Sequence, residues 1–258
     1  MRRVLHLEDV WLTYQAENGE ITALESFSFS GFEGEQIAIV GPSGCGKSTL
    51  LSVIAGLEPP TRGKVFLDDT QVTGVSPKIG YMLQKDNLLN WRTIGSNVML
   101  GLEIRGMLTS ENRAYAYGLL DTYGLSAFVD KYPSQLSGGM RQRAALIRTL
   151  ATRPELLLLD EAFSALDYQT RLTVTDDVYS ILKGVGKTAV IVTHDIPEAI
   201  SMADRILVVT HRPGRVKSVH KINLTDKDGK ALPPTKRRAH PGFTHYFNTI
   251  WKELDLNE

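Results

Sequence analysis

The run GPSGCGKST at residues 41–49 constrains this chain more than any other feature. It follows the apolar stretch 37–40 and precedes Leu50, Leu51 and Ile54, with Gly56 as a stop. The order is therefore strand, glycine loop, helix. Glycines at 41, 44 and 46 let the backbone curl so that several N–H groups point at one anion, and the helix start adds its dipole. A polyphosphate fits such a loop. Lys47 supplies a charge for the terminal phosphates, and the Ser48 hydroxyl is a natural ligand for a bridging Mg²⁺. Cys45 reads as a small loop filler rather than a reactive thiol.

A polyphosphate-bound Mg²⁺ needs further oxygen ligands, and hydrolysis needs a group that orients water. LLLLDE at 156–161 supplies both. Four leucines form a buried strand, Asp160 at its end holds the ion through its water shell, and Glu161 polarises the attacking water. TAVIVT at 188–193 is a second buried-strand run. It places His194 at the same carboxyl edge of a parallel sheet, where ligands collect, within reach of a γ-phosphate.

The rest of the chain sets limits. Its 258 residues are 42% apolar, enough for a sizeable core. Lys and Arg total 29 and Asp and Glu total 29, so the broad basic field of a nucleic-acid binder is missing and no nucleic-acid partner is expected. Cys45 stands alone, which fits a reducing compartment. No signal peptide or membrane-spanning run is expected. Strand-like runs at 4–10, 36–40 and 64–67 put a small β layer at the start, and helical spacing at 110–150 interrupts the α/β pattern. Residues 211–240 carry nine Lys and Arg; they read as a solvated tail with a little strand, a lipid-headgroup contact being the alternative.

LSGGMRQRAALIRTL at 136–150 opens a helix with a serine and two glycines, and Met140, Ala144, Ile147 and Ala151 follow helical spacing. Its N-terminus is a second anion site in a chain that already has one. The economical owner of the second phosphate is another copy. Taken together, GPSGCGKST, Gln84, LSGGM, LLLLDE, SALD and His194 resemble the ATP-binding subunit of an ABC transporter. Kinases and small GTPases with the same phosphate loop lack the serine–glycine signature.

The resemblance implies a P-loop NTPase (RecA-like) α/β fold: a parallel-sheet core, an N-terminal antiparallel β subdomain and an inserted helical subdomain. It implies a nucleotide-binding domain at 1–225, with a helical signalling subdomain at 87–156, and a C-terminal extension at 226–258. ATP would lie on Gly41, Pro42, Ser43, Gly44, Cys45, Gly46, Lys47, Ser48 and Thr49. Tyr14 would stack on adenine, a plain strand tyrosine being the alternative. Mg²⁺ would take Ser48, Gln84 and Asp160. Glu161, His194, Gln84 and Lys47 would serve catalysis. Ser137, Gly138 and Gly139 would contact the other protomer's ATP, and 164–167, with Asp167, would cross the dimer interface.

Partners implied are a second copy, integral membrane permease subunits and a solute-binding protein, at the cytoplasmic face of the inner membrane. The 88–98 stretch with Trp91 would meet the permease, core packing being the alternative. ADRILVVTHRPGRV at 203–216 and the closing FNTIWKELD resemble importers of nitrate, sulfonate, taurine and related small nutrients, which would include vitamin precursors. A soluble non-transport ABC ATPase is the rival reading; such proteins usually carry two cassettes or long coiled-coil insertions, and this sequence has neither.

Overall fold

The computed structural model describes residues 1–17 and 19–255; the last three residues of the expected 226–258 extension lie outside the described residues. In chain order the elements are β1 (Arg3–Ala16), β2 (Gly19–Phe32), β3 (Gln36–Val40), α1 (Lys47–Ile54), β4 (Arg62–Leu67), β5 (Thr70–Gln71) and β6 (Ile79–Met82). Then come α2 (Ile94–Ile104), α3 (Ser110–Thr122), α4 (Gly138–Ala151), β7 (Leu156–Asp160), α5 (Tyr168–Gly184) and β8 (Thr188–Thr193). The chain closes with α6 (Ile196–Met202), β9 (Arg205–Val209), β10 (Val216–Lys221), α7 (Pro234–Arg238) and α8 (Phe243–Asp255).

Two sheets share one helix. The antiparallel sheet β2-β1-β4-β5 forms the expected β layer, and the second sheet runs β10-β9-β3-β8-β7-β6. Within it β9, β3, β8, β7 and β6 are parallel, and β10 pairs antiparallel at the edge. Both faces of its central strands are covered, which is why β3, β7 and β8 are buried throughout and read as unbroken apolar runs. Along β7 the side chains alternate: Leu156 and Leu158 face α1 and β1, whereas Leu157 and Leu159 face the helical layer. The helix α1 thus sits between the sheets, anchored by Leu50, Leu51 and Ile54.

The helical block begins earlier than the sequence pattern implied. The helix α2 occupies 94–104, overlapping the 88–98 stretch expected to meet the permease, and its N-cap Thr93 accepts a hydrogen bond from the Ser96 N–H. Buried Asn97 ties it to the preceding loop, donating to the carbonyls of Leu89, Arg92 and Thr93 and accepting from the Leu89 N–H. Two glycines and a polar residue on the buried side weaken the helical signal, so tertiary bonds decide here.

The basic stretch after 211 also departs from the solvated-tail reading. Ile222 and Leu224, with Ile250 of α8, join Ala38, Val40, Ile206 and Val208 in a third apolar cluster. Arg237 is 1% exposed. Its guanidinium donates to the carbonyls of Leu232 and Ala203 and to the Tyr179 hydroxyl, and lies 3.7 Å from an Asp204 carboxylate oxygen. A counted charge says nothing about where each cation points, and this one closes the C-terminal segment onto the core. Replacing Arg237 with Ala takes a donor from the buried Ala203 carbonyl and Tyr179 hydroxyl, while Asp204 keeps Lys183 at 2.8 Å, and should lower stability by about 1–3 kcal/mol in urea unfolding; a change within experimental error would mean the segment is not held by this cation.

Candidate active site

The phosphate loop leaves β3 at the carboxyl edge of the parallel sheet and enters α1. Gly46, at φ +99°, is its sharpest point, and a side chain there would press on the Ala23 carbonyl at 2.9 Å. Lys47 is buried and turned back over the loop, donating to the carbonyls of Gly41 and Pro42, each at 2.8 Å. Its ammonium is therefore already fixed above the curl where an anion would settle. Cys45 lies buried beneath it, and burial pushes its thiol pKa up, consistent with a packing role.

The acidic strand end comes to the same place. Ser48 donates from Oγ to Asp160 Oδ1 at 3.0 Å, and Tyr81, at the end of β6, donates to Oδ2 at 3.3 Å. Burial raises the Asp160 pKa, while those two hydrogen bonds pull it down and the Glu161 charge adds to the rise. Glu161 follows in a left-handed conformation, φ 45°, which a non-glycine residue adopts only when its surroundings hold it. The Val192 carbonyl accepts from its N–H, and the Ser164 hydroxyl and N–H both donate to its carbonyl. This twist turns its carboxylate toward Gln84 Nε2 at 3.5 Å and His194 Nδ1 at 3.3 Å. Gln84 also donates to Ser164 at 3.1 Å.

Gly44, Gly46, Lys47, Ser48, Thr49, Gln84, Asp160 and Glu161 thus border one cleft of about 270 Å³ with Ser43. Sequence reasoning missed two of its neighbours. Arg212 lines the cleft and donates to the Gly44 carbonyl at 3.0 Å; its signal was the basic HRPGR run just beyond an apolar strand. Tyr81 had a fainter one, an aromatic three residues before Gln84. Tyr14 is partly exposed, its hydroxyl donating to Glu58 at 2.6 Å; burial is the main reason its pKa rises, while a hydrogen bond to Thr49 opposes that rise.

Ser137, Gly138 and Gly139 are elsewhere. Ser137 caps α4, its hydroxyl accepting from the Met140 N–H at 3.3 Å. A side chain at Gly139 would meet Val174 at 2.8 Å, so a glycine is what lets α4 and α5 pack closely. Ser137 and Gly139 line a separate cavity with Gln169, Thr170 and Thr173 of α5, not the cleft at the phosphate loop. Asp167 caps α5, accepting from the Thr170 N–H at 3.0 Å, and hydrogen bonding from the Thr170 side chain, then from its N–H, holds the Asp167 pKa down. The Gln84 loop is nonetheless tied to α4: Arg141 pairs with Asp86 at 3.0 Å, and Arg148 donates to the carbonyls of Asp86 and Asn87, each at 2.7 Å.

Fold and cleft together define a P-loop nucleoside triphosphatase, with a covered parallel sheet, a lysine-bearing loop and an acid pair at one edge. Comparison places it further. The family model for ABC transporters matches residues 24–164, and this chain belongs to that family as an ATP-binding subunit that hydrolyses ATP. It is 49% identical to the uncharacterized ABC transporter ATP-binding protein YtlC of Bacillus subtilis, over 98% of this chain and 96% of that one. It is 38% identical to the taurine import ATP-binding protein TauB of Yersinia pestis, over 93% and 92%. A dimeric post-hydrolysis structure of the ATP-binding cassette MJ0796, bound to ADP and Pi, superposes with a TM-score of 0.72 at 34% identity, covering 84% of this chain and 98% of that one. Among the described residues no helix is long and apolar enough to cross a membrane.

Beside the cleft, Glu198 is a buried carboxyl whose pKa is raised to about 8, first by burial and then by the Asp195 charge, with Thr193 and Arg171 opposing. A raised carboxyl pKa means the folded state binds more protons than the unfolded one between about pH 4.5 and 8. This group's contribution to stability is therefore greatest at acid pH and falls as pH rises through that window. Glu198→Gln should stabilise the fold at pH 8.5 by about 1–3 kcal/mol relative to wild type and lose that advantage toward pH 5. A gain that does not vary with pH, in denaturant titrations at both values, would contradict the assignment.

Proposed function

We propose that this chain powers the import of a small nutrient, with sulfonates such as taurine and nitrate-like anions as the favoured class, by closing as a homodimer on two ATP molecules. The observation that carries the dimer reading is the distance in function between two anion sites on one chain. The N-terminus of α4 offers Ser137, Gly138 and Gly139 but lines its own cavity, so it needs a phosphate brought by a second copy. The solute class rests on likeness to the taurine import protein.

Each site would combine one chain's phosphate loop with the other's serine–glycine turn. Residues 41–49 would wrap the phosphates, Lys47 would neutralise the terminal charge, and Tyr14 would stack on the adenine. The donor set suits Mg²⁺: a hydroxyl, a carboxylate and a carboxamide from Ser48, Asp160 and Gln84 are all hard oxygen ligands, and Ser48 and Asp160 already meet at 3.0 Å. When bound there, the ion would offset charge on the phosphate oxygens. Glu161, poised between Gln84 and His194, would accept hydrogen bonding from the attacking water and orient it, and His194 would donate to the γ-phosphate. Asp167 would carry the state of one site to the other at the interface.

ATP shifts the population toward the closed pair because its charge-assisted hydrogen bonds to the signature turn exist only there. Hydrolysis removes them. The movement would leave through Gln84 and the helical subdomain at 87–156, since Arg141 and Arg148 bind the Gln84 loop to α4. Exposed Trp91 and Leu83 flank that loop and offer an apolar patch to a permease helix. The chain would then be a peripheral subunit at the cytoplasmic face of the inner membrane, with a solute-binding protein delivering the cargo, and residues 226–258 would form an extension outside the nucleotide-binding domain at 1–225.

Replacing Glu161 with Gln keeps the shape and removes the charge. ATP should still bind, turnover should fall by about 100-fold or more, and light scattering should record an ATP-dependent dimer. Wild-type turnover in that variant would remove Glu161 from its role.

A further inference from the structure

The C-terminal helix does more than cover the sheet. On one side α8 sends Ile250 into the core, and on the other it lines a cavity of about 490 Å³ that reaches the outer wall of the phosphate loop. This cavity adjoins the nucleotide cleft across the phosphate loop: Ser43 lines both, and Gly41, Pro42 and His194 form the wall nearest the cleft, while the α8 side belongs to the cavity alone. Its apolar wall is Phe247, Trp251 and Leu254 facing Ile196 and Pro197. Phe247 and Trp251 stack at 5.9 Å between centroids and 22° between planes, yet Trp251 remains 52% exposed. A large flat ring is therefore held half out of the core beside an open space, where a second flat ring would cover it.

The polar side of the cavity fixes the charge of that visitor. His194 and His211 line it, and His211 has no hydrogen-bond partner among the described residues. Asp195 is the one carboxylate among the lining residues, and its Oδ2 is already paired with Arg171 at 2.9 Å. His211, and His194 beyond the Nδ1 that faces Glu161 at 3.3 Å, thus present ring nitrogens to a rim whose one lining carboxylate is already paired.

We propose that the cavity between α8, the His194 turn and the phosphate loop binds a planar aromatic monoanion, its ring against Trp251 and its charged group on His211 and His194. The binding itself does not depend on the transport reading. Its consequence rests on that reading: a ligand hydrogen-bonded to His194 keeps the imidazole from the γ-phosphate, so occupancy slows hydrolysis without displacing ATP.

Naphthalene-2-sulfonate is a suitable probe, titrated by calorimetry into the full-length protein without nucleotide, with 2-naphthol and methanesulfonate as the ring-only and anion-only controls. One saturable site per chain is expected, with both controls weaker. Trp251→Leu should weaken binding about tenfold and His211→Ala several-fold, while Ser48→Ala, at a residue that lines only the nucleotide cleft, should leave it unchanged. Absent binding, wild-type affinity in the Trp251 and His211 variants, or loss of binding in Ser48→Ala would overturn the site. At saturating ATP the probe should lower kcat with the KM for ATP unchanged; turnover unaffected by a bound probe would overturn the link to His194.

Discussion

A single hydrogen bond, from Ser48 Oγ to Asp160 Oδ1, joins residues 112 positions apart and marks the constraint on which the site depends. Those residues lie just beyond β3 and at the end of β7, two parallel strands with β8 between them. Parallel pairing makes every strand finish at the same edge, so the phosphate loop, the acid pair and His194 converge without any of them being close in sequence. The buried apolar runs of β3, β7 and β8 are what hold that edge rigid.

The site is polarised within this frame. Lys47 stands buried on loop carbonyls, Asp160 is held by two hydroxyls, and Glu161 keeps a left-handed backbone that only its neighbours make tolerable. The Lys47 ammonium and the Asp160 and Glu161 carboxylates are thereby spread around one cleft rather than collapsed into salt bridges with one another. The serine–glycine turn lines a separate cavity at the start of α4.

Much of this was legible because its signals are local. GPSGCGKST, LLLLDE and TAVIVT each declare both an element and its terminal chemistry within nine residues or fewer, and the structure brings their acids, lysine and histidine together as expected. The fold class followed from the family resemblance that these runs carry together with Gln84, LSGGM and SALD. What escaped was long-range. Tyr81 reaches the cleft from β6 and Arg212 from the loop between β9 and β10, on sequence signals too faint to place them there, and α2 depends on Asn97 bonding to carbonyls of the preceding loop. Arg237 looked like one cation among nine, and only packing distinguishes it as the closure of the C-terminal segment.

The central claim is that each nucleotide site takes its phosphate loop from one chain and its serine–glycine turn from another. Mixing two inactive variants tests it most directly: Lys47→Ala, which spoils the loop, and Ser137→Arg, which blocks the turn. A mixed dimer holds one site with both lesions and one site with neither. Phosphate release from an equimolar mixture should recover to about one quarter of the wild-type rate, since half of randomly assembled pairs are mixed and each carries one complete site. Release no greater than the average of the two variants measured alone would contradict the account.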